Sequence, residues 1–398
     1  MVATSNTREV VVVSGVRTPI GDYGGALKSF GATDLGAIVV KEAIARAKVD
    51  AGLVGHGVIG NVIHGAAKDM YASRVACVTG GMSHDSQALT VNRLCGSGLQ
   101  AIVSAAQMIL LDDADCALGG GTESMSQGGY LMPQARWGAR MGDTQMVDMM
   151  VGALTDPFDT VHMGITAENI ASKWQLSREL QDEFAVESHR RAASAISDGR
   201  FQEQIVPVEI KSRKGTIIVN SDEHVRADAT VEGMAKLRTV FKRDGSVTAG
   251  NASGINDGAA AVVLAEASFA AQQGLQPMAR LVSYGFAGVN PAYMGEGPIP
   301  AVTQALKRAG LGVADMDVIE SNEAFAAQAL AVSKGLEFDP AKTNPNGGAV
   351  ALGHPVGATG AVLTVKLLYE LQRIGGKYGL VTMCIGGGQG IAAVFERL

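Results

Sequence analysis

The sequence predicts an α/β protein built from two similar halves, with a segment of different character inserted between them. Short apolar runs that read as buried strands alternate with stretches of helical periodicity, the pattern of a sheet covered on its faces by helices. The same order of elements returns after about 260 residues, a self-similarity that points to a duplicated unit. Glycine supplies 51 of 398 residues, against a usual share of about 7%, so many positions need tight turns or close backbone approach.

The first strand is the run Arg8 to Val13, expected to end at Ser14-Gly15. A helix follows with Thr33-Asp34 as its cap, Leu35, Ile38, Val39 and Ala43 on one face, and an end at Lys48. Gly55 to Asn61 reads as the next strand. Leu99, Ile102, Val103, Ala106 and Leu110 then mark a second helical face, and Asp115 to Leu118 runs into Gly119-Gly120-Gly121 as strand and turn. In the second half Leu306 to Ala309 echoes Ile44 to Ala47, and Asp317 to Asn322 echoes Gly57 to Asn61. A glycine-rich turn at Gly357 to Gly360, a helix through Val362, Val365 and Leu368, and a strand Tyr378 to Ile385 ending in Gly386-Gly387-Gly388 repeat the order that begins at Cys95. The expected division is an N-terminal half at 1–123, completed by about 253–275, an inserted loop domain at 124–252, and a C-terminal half at 276–398.

The insert gathers Met125, Met132, Met141, Met146, Met149, Met150 and Met163, which suit either an adaptable lid or interface, or ordinary core filling. A long helix is expected from Arg178 to about Ser197, stopped by Asp198-Gly199. Residues 173–243 hold 13 Lys/Arg and 11 Asp/Glu in a chain of net charge −6. That weak local excess could face an anionic ligand, although most of these charges read as solvated surface.

A chain of this length is too long for one small core, which fits two or three domains. Its 47% apolar and 18% charged residues suggest large buried interfaces and a homo-oligomer. Basic residues are dispersed, which argues against nucleic acid or an anionic membrane as partner. Met1 to Arg8 is polar and the apolar run after Glu9 is short, unlike a signal peptide, and no stretch reaches the roughly 20 apolar residues that span a bilayer. Cys77, Cys95, Cys116 and Cys384 show neither metal-ligand spacing nor a secreted disulfide pattern, which fits a cytoplasmic protein without bound metal.

Cys95 carries the chemistry. It stands in Asn92-Arg93-Leu94-Cys95-Gly96-Ser97-Gly98-Leu99, a glycine-rich turn before a helix, where backbone N–H groups and the helix end are expected to lower a thiol pKa. The absent side chains at Gly96 and Gly98 would admit a substrate, and the same N–H groups could hold an oxyanion. A lone cysteine in a helix cap has equally ordinary structural uses, so the reading needs a base. His354, in Gly353-His354-Pro355-Val356-Gly357, is the candidate among seven histidines. Cys384, in Met383-Cys384-Ile385-Gly386-Gly387-Gly388, offers a second proton carrier. Two thiols and one histidine do not match a cysteine hydrolase, but they do match carbon–carbon bond formation next to a thioester carbonyl. Asn322 either fixes a water or carbonyl oxygen or caps a helix.

Four motifs, Cys95-Gly96-Ser97-Gly98, Asn322-Glu323-Ala324-Phe325, Gly353-His354-Pro355 with Gly357 and Gly360, and Cys384-Ile385-Gly386-Gly387-Gly388, resemble the active-site motifs of the thiolase family in the same order. The resemblance extends to Val13–Pro19, His162-Met163-Gly164 and Gly250–Gly254, and so to essentially the whole chain. His162-Met163 with Met294-Gly295 is similar to the short-chain, acetoacetyl-CoA-forming branch and the bacterial β-ketothiolases.

The family resemblance implies two thiolase-type halves layered α-β-α-β-α, with coenzyme A thioesters as substrates and no permanently bound cofactor. Acetyl-CoA, acetoacetyl-CoA and CoA would be the partners, and the assembly a tetramer or dimer. Cys95 would become acetylated after His354 takes its proton, and Cys384 would then deprotonate a second acetyl-CoA. His354 with a water on Asn322 would form one oxyanion site, and the N–H groups of Cys95 and Gly386 the other. Ser253, His162, Met163, Met294 and Phe325 become substrate contacts, with Arg226 near the adenine end. Pro345 stands where the family commonly has valine, and Glu296 lies near the expected acyl chain, where a charge would disfavour long chains unless it turns to solvent. The alternatives are a degradative 3-ketoacyl-CoA thiolase for longer chains and an inert acyl-CoA-binding relative, against which intact Cys95, His354 and Cys384 argue.

Overall fold

The computed structural model describes residues 8–213 and 215–398. Its main sheet contains β1 (Val10–Arg17), β2 (His56–Gly60), β3 (Gln87–Val91), β4 (Cys116–Ser124), β5 (Asn256–Glu266), β6 (Ala279–Gly288), β7 (Val318–Ser321), β8 (Tyr378–Ile385) and β9 (Gln389–Arg397). They run in the order β7-β8-β9-β6-β1-β5-β4-β2-β3, and the short strand Gly21–Asp22 pairs with β5. The order is symmetric about the β6–β1 junction: β9, β8 and β7 on one side answer β5, β4 and β2 on the other. The longer helices are α1 (Ala32–Ala47), α2 (Ala72–Thr79), α3 (Ser97–Leu110), α4 (Met163–Trp174), α5 (Arg178–Ser197), α6 (Pro298–Ala309), α7 (Ala326–Leu336) and α8 (Thr359–Ile374).

Alternation along β1 shows how the layers form. Val11 and Val13 face α1 and α2, in one core with Leu35, Val39 and Cys77. Val10 and Val12 face the opposite way, into a core with Leu99 and Ile102 of α3 and Leu363 and Leu367 of α8. In the second half α6 and α7 cover the outer face through Ala301, Val302 and Val332, against Ile319, Leu380 and Val394. The result is five layers, α-β-α-β-α, with α3 and α8 in the middle. A strand covered on both faces has no reason to alternate, which is why Val10 to Val13 is continuously apolar.

Several local expectations change. β1 runs on through Ser14-Gly15 to Arg17, with a bulge between Val12 and Ser14, because β5 pairs with it throughout. The α1 N-cap is Gly31, whose N–H donates to Asp34, while Thr33 lies inside the helix. Leu110 is exposed and Ile109 takes its place in the core. Gly119, Gly120 and Gly121 form no turn; they continue β4, since a Cβ on Gly119 would lie 2.7 Å from Ile102 Cα and one on Gly121 2.2 Å from Gly357 O. Gly96 and Gly98 also serve packing, not substrate entry. A Cβ on Gly96 would meet Ile385 at 2.6 Å, and one on Gly98 would meet Ala361 N at 2.7 Å.

The segment between β4 and β5 carries α4 and α5. α5 spans the expected residues, and Gly199 takes φ +72° just past its end. Its charges are largely paired on its own surface, as Arg178–Asp182, Arg190–Glu187 and Arg191–Glu187. The methionines divide: Met125 and Met163 are buried, while Met141 and Met146 are exposed.

Candidate active site

Cys95 occupies the turn that feeds α3, and the turn is tightly wound. Leu94 sits at φ +44°, a left-handed conformation rarely adopted by a residue with a Cβ. Ser97 holds it, its Oγ accepting from Arg93 N at 2.8 Å and donating to Leu94 O at 2.6 Å. Asn92 Oδ1 accepts from Leu94 N at 2.9 Å. The Cys95 sulfur receives the backbone N–H groups of Gly386 and of Cys95 itself. Burial nevertheless outweighs them and pushes the thiol up to about 11, opposite to the expected lowering. At neutral pH the sulfur is therefore a thiol.

His354 has the form of a neutral proton acceptor. Its Nδ1 lies 2.6 Å from Thr359 Oγ1, and that hydroxyl already donates its one proton to Pro355 O at 2.9 Å. Thr359 therefore accepts, Nδ1 carries the hydrogen, and Nε2 presents a lone pair with no protein partner. Burial lowers the imidazole pKa to about 4, so the ring is neutral at pH 7. Its backbone is fixed by His354 N donating to Asn256 Oδ1 at 2.9 Å, next to Gly353 at φ +104°.

Cys384, fully buried at the end of β8, is raised by burial and by the charge of Cys95 close by. Cys95, His354, Cys384 and Gly386 all line one cavity of about 390 Å³. Its walls also include Met125, Leu154, Phe241, Met294 and Phe325, an apolar lining with few polar groups, as small-molecule sites have. His162, Met163 and Ser253 line it too. His162 caps α4 through Nδ1, which accepts from Gly164 N at 3.0 Å, and its ring stacks on Phe241 at 4.6 Å. Ser253 Oγ donates to Ala324 O at 2.9 Å. Asn322 is not among the residues that line this cavity. It is fully buried, and neither side-chain polar atom has a protein partner. It caps no helix, since the N-cap of α7 is Phe325.

Arg226 stands apart from this cavity, in an adjoining groove with His189, that shares His224 and Ala249 with it. Its guanidinium is 58% exposed and 3.5 Å from Asp22. Glu296 accepts from Trp174 Nε1 at 2.7 Å and pairs with Lys173 Nζ at 2.8 Å, and it does not line the cavity. Among the described residues no His, Cys, Asp and Glu cluster is arranged to hold a metal. The sequence reading missed Thr359, Phe241, His224 and Glu123. Only Thr359 carried a usable signal, five residues after His354 at the start of a helix.

The chain matches the description "Thiolase, N-terminal domain" over residues 10–268 and "Thiolase, C-terminal domain" over 275–397. The chain belongs to the thiolase family. It is 65% identical to beta-ketothiolase BktB of Cupriavidus necator, covering 98% of this chain and 100% of that protein. It is 50% identical to an acetyl-CoA acetyltransferase of Syntrophomonas wolfei, over 98% and 100%. The crystal structure of human mitochondrial 3-ketoacyl-CoA thiolase in complex with CoA superposes with a TM-score of 0.96 at 45% identity, covering 98% of each chain. The thiolase fold assigned to these five layers is the one those relatives share.

Proposed function

We propose that the chain is an acetyl-CoA C-acetyltransferase, joining two acetyl-CoA into acetoacetyl-CoA and CoA and running in reverse as thiolysis of short 3-ketoacyl-CoA. The observation that carries this reading is one cavity holding two sulfurs and a neutral imidazole with a free Nε2. His354 takes the Cys95 proton, the sulfur attacks the acetyl carbonyl, and the proton leaves with the departing CoA sulfur. Once CoA has left with that proton, the neutral His354 takes the proton of Cys384, and the Cys384 thiolate removes a proton from the methyl carbon of the second acetyl-CoA. That carbanion attacks the acetyl group, the new C–C bond forms as the thioester bond to Cys95 breaks, and the released Cys95 sulfur takes back the proton held on His354. A thiol whose pKa is pushed up gives a thiolate basic enough for a weak carbon acid.

The N–H groups of Cys95 and Gly386 supply one oxyanion site, a role supported by their bonds to the sulfur. Asn322, buried and unpaired, supplies a water site beside His354. Ser253, His162, Met163, Met294 and Phe325 contact the acyl-pantetheine arm, and Arg226 with its groove receives the adenine end. CoA thioesters are substrates, and no bound cofactor, nucleic acid or membrane enters the reading. Divided as 1–123 with about 253–275, 124–252 and 276–398, the chain assembles as a cytoplasmic homo-tetramer. Exposed Tyr130, Trp137, Met141 and Phe158 of the insert, and Leu89 on edge strand β3, support the association. Four free thiols support the reducing compartment.

Mass spectrometry of the intact protein after acetyl-CoA tests the chemistry. A single acetyl adduct on Cys95, absent from Cys95→Ser, is expected; an adduct elsewhere overturns the assignment.

A further inference from the structure

Glu123, at the inner face of the β4 end, is fully buried and takes no part in the reaction above. Four N–H groups donate to it. Asn61 Nδ2 and Ile63 N reach Oε1 at 2.9 and 3.0 Å, and Gly357 N and Val62 N reach Oε2 at 2.8 and 3.2 Å. A set made of donors alone suits an ionised carboxylate. These donors come from two places: the 61–63 loop, whose Ile63 packs with Met125, Val356 and Cys95, and the turn that carries His354. The turn sits directly on the carboxylate, since a Cβ on Gly357 would come 2.5 Å from Oε2.

The duplicated scaffold shows that the fold does not need a charge there. Gly98 and Gly360, whose missing side chains face each other's helices, are 262 residues apart, as are Ala43 and Ala305, which accept the Ser14 and Ser283 hydroxyls. The same spacing carries Glu123 to Ile385. Ile385 supports the Cys95 turn through contact with Gly96 as Glu123 supports the His354 turn through Gly357. One half uses an aliphatic side chain where the other buries a carboxylate.

We propose that Glu123 is a positioning residue for acyl transfer, locking the His354 turn against the Cys95 wall, with its carboxyl group within electrostatic reach of the Cys95 sulfur. This rests on the reading of Cys95 as nucleophile and His354 as base. The groups that face Glu123 electrostatically are Asp69, which raises it, and Cys95, which it raises in turn. Burial puts Glu123 at about 8 and Cys95 at about 11, so the carboxylate is charged over the range in which the thiol titrates.

The test uses the full chain as Glu123→Gln and Glu123→Asp. Readouts are the pH profile of Cys95 alkylation by iodoacetamide, kcat and KM for acetoacetyl-CoA thiolysis, and thermal unfolding. Glu123→Gln removes the charge, so the alkylation profile should move to lower pH by about one unit. Its kcat should fall about 10- to 100-fold with KM within about twofold. Glu123→Asp keeps the charge and loses the reach to Gly357, so kcat falls while the profile stays. A Glu123→Gln protein with wild-type profile and kcat overturns the proposal. So does a lowered Tm with the profile unmoved in both variants, the signature of a purely structural acid. If Glu123→Gln does not fold, an unchanged kcat in Glu123→Asp overturns it. Acetylation of wild-type Cys95 separates the two levels: its absence sinks the parent reading, whereas its presence with indifferent variants sinks only this one.

Discussion

The two halves of the sheet share a scaffold and divide the chemistry. α3 and α8 meet at Gly98 and Gly360, and β1 and β6 both carry a bulge and a serine hydroxyl tied to the covering helix. Yet along the 262-residue spacing each reactive group faces a silent one. Cys95 corresponds to Gly357, His354 to Asn92 and Cys384 to Thr122, and the strand registers match Asn322 to Gly60, one residue off the Asn61 that the sequence echo paired with it. The connections differ as sharply. β8 passes to β9 through Gly386-Gly387-Gly388, whereas β4 reaches β5 only after residues 125–255. Divergence at single positions thus leaves Cys95 in the first half and His354 and Cys384 in the second, and all three line one cavity. A site assembled in this way needs both halves folded before any chemistry is possible.

The division should break most completely at Cys95. Cys95→Ser should lower kcat by about 10⁴-fold or more in both directions, since removing one member of a coupled catalytic set costs nearly the whole. Steady-state thiolysis of acetoacetyl-CoA measures it, and retention of a tenth of the activity would refute the role. Cys384→Ala should separate the half-reactions: acetylation of Cys95 by acetyl-CoA persists in mass spectrometry while acetoacetyl-CoA formation falls by about 10²- to 10⁴-fold. Equal loss of both would place Cys384 in acyl transfer as well.

A smaller effect is expected at Thr359, which fixes the His354 tautomer and touches no substrate. Thr359→Val removes the acceptor for Nδ1–H and should cost about tenfold in kcat, with little change in KM. Thr359→Ser, which keeps the hydroxyl, should restore most of it. A valine variant with wild-type kcat would show that the tautomer is set by something other than this hydroxyl.

The sequence displayed the duplicated order, the long helix Arg178–Ser197 and the turns of Cys95, His354 and Cys384, because periodicity and glycine-rich turns are local signals. It misread what those glycines do. Gly96, Gly98 and Gly119–Gly121 serve contacts between elements far apart in the chain, which no local window contains. The sign of the Cys95 shift was hidden for the same reason: the helix end is visible in the sequence, but the burial that overrides it comes from distant segments, with Ile63, Met125 and Val356 packed together against Cys95. Glu123 gave no signal at all, since four of its partners are N–H groups from loops fixed only by the sheet.

The smallest predicted effect concerns acid stability, and it falls on the half that holds the histidine. His354 has a folded pKa of about 4 against 6.5 unperturbed, so between those values the unfolded chain binds a proton that the folded chain refuses. Stability from His354 is then complete above about pH 6.5 and is lost as pH falls toward 4. His189, lowered to about 4, adds a slope of the same sign from the insert. Glu123 and Glu320, raised to about 8 and 7, act oppositely, losing stability as pH rises above the usual carboxylate range. A single curve therefore mixes opposed contributions, but a difference between variants cancels those that both proteins share. His354→Asn, which places in the second half the residue that Asn92 already is in the first, should lose less Tm between pH 7 and pH 4.5 than the wild type. Parallel Tm curves for the two proteins would mean that the imidazole is protonated in the fold as readily as in the unfolded chain, and the neutral-base assignment would go with it.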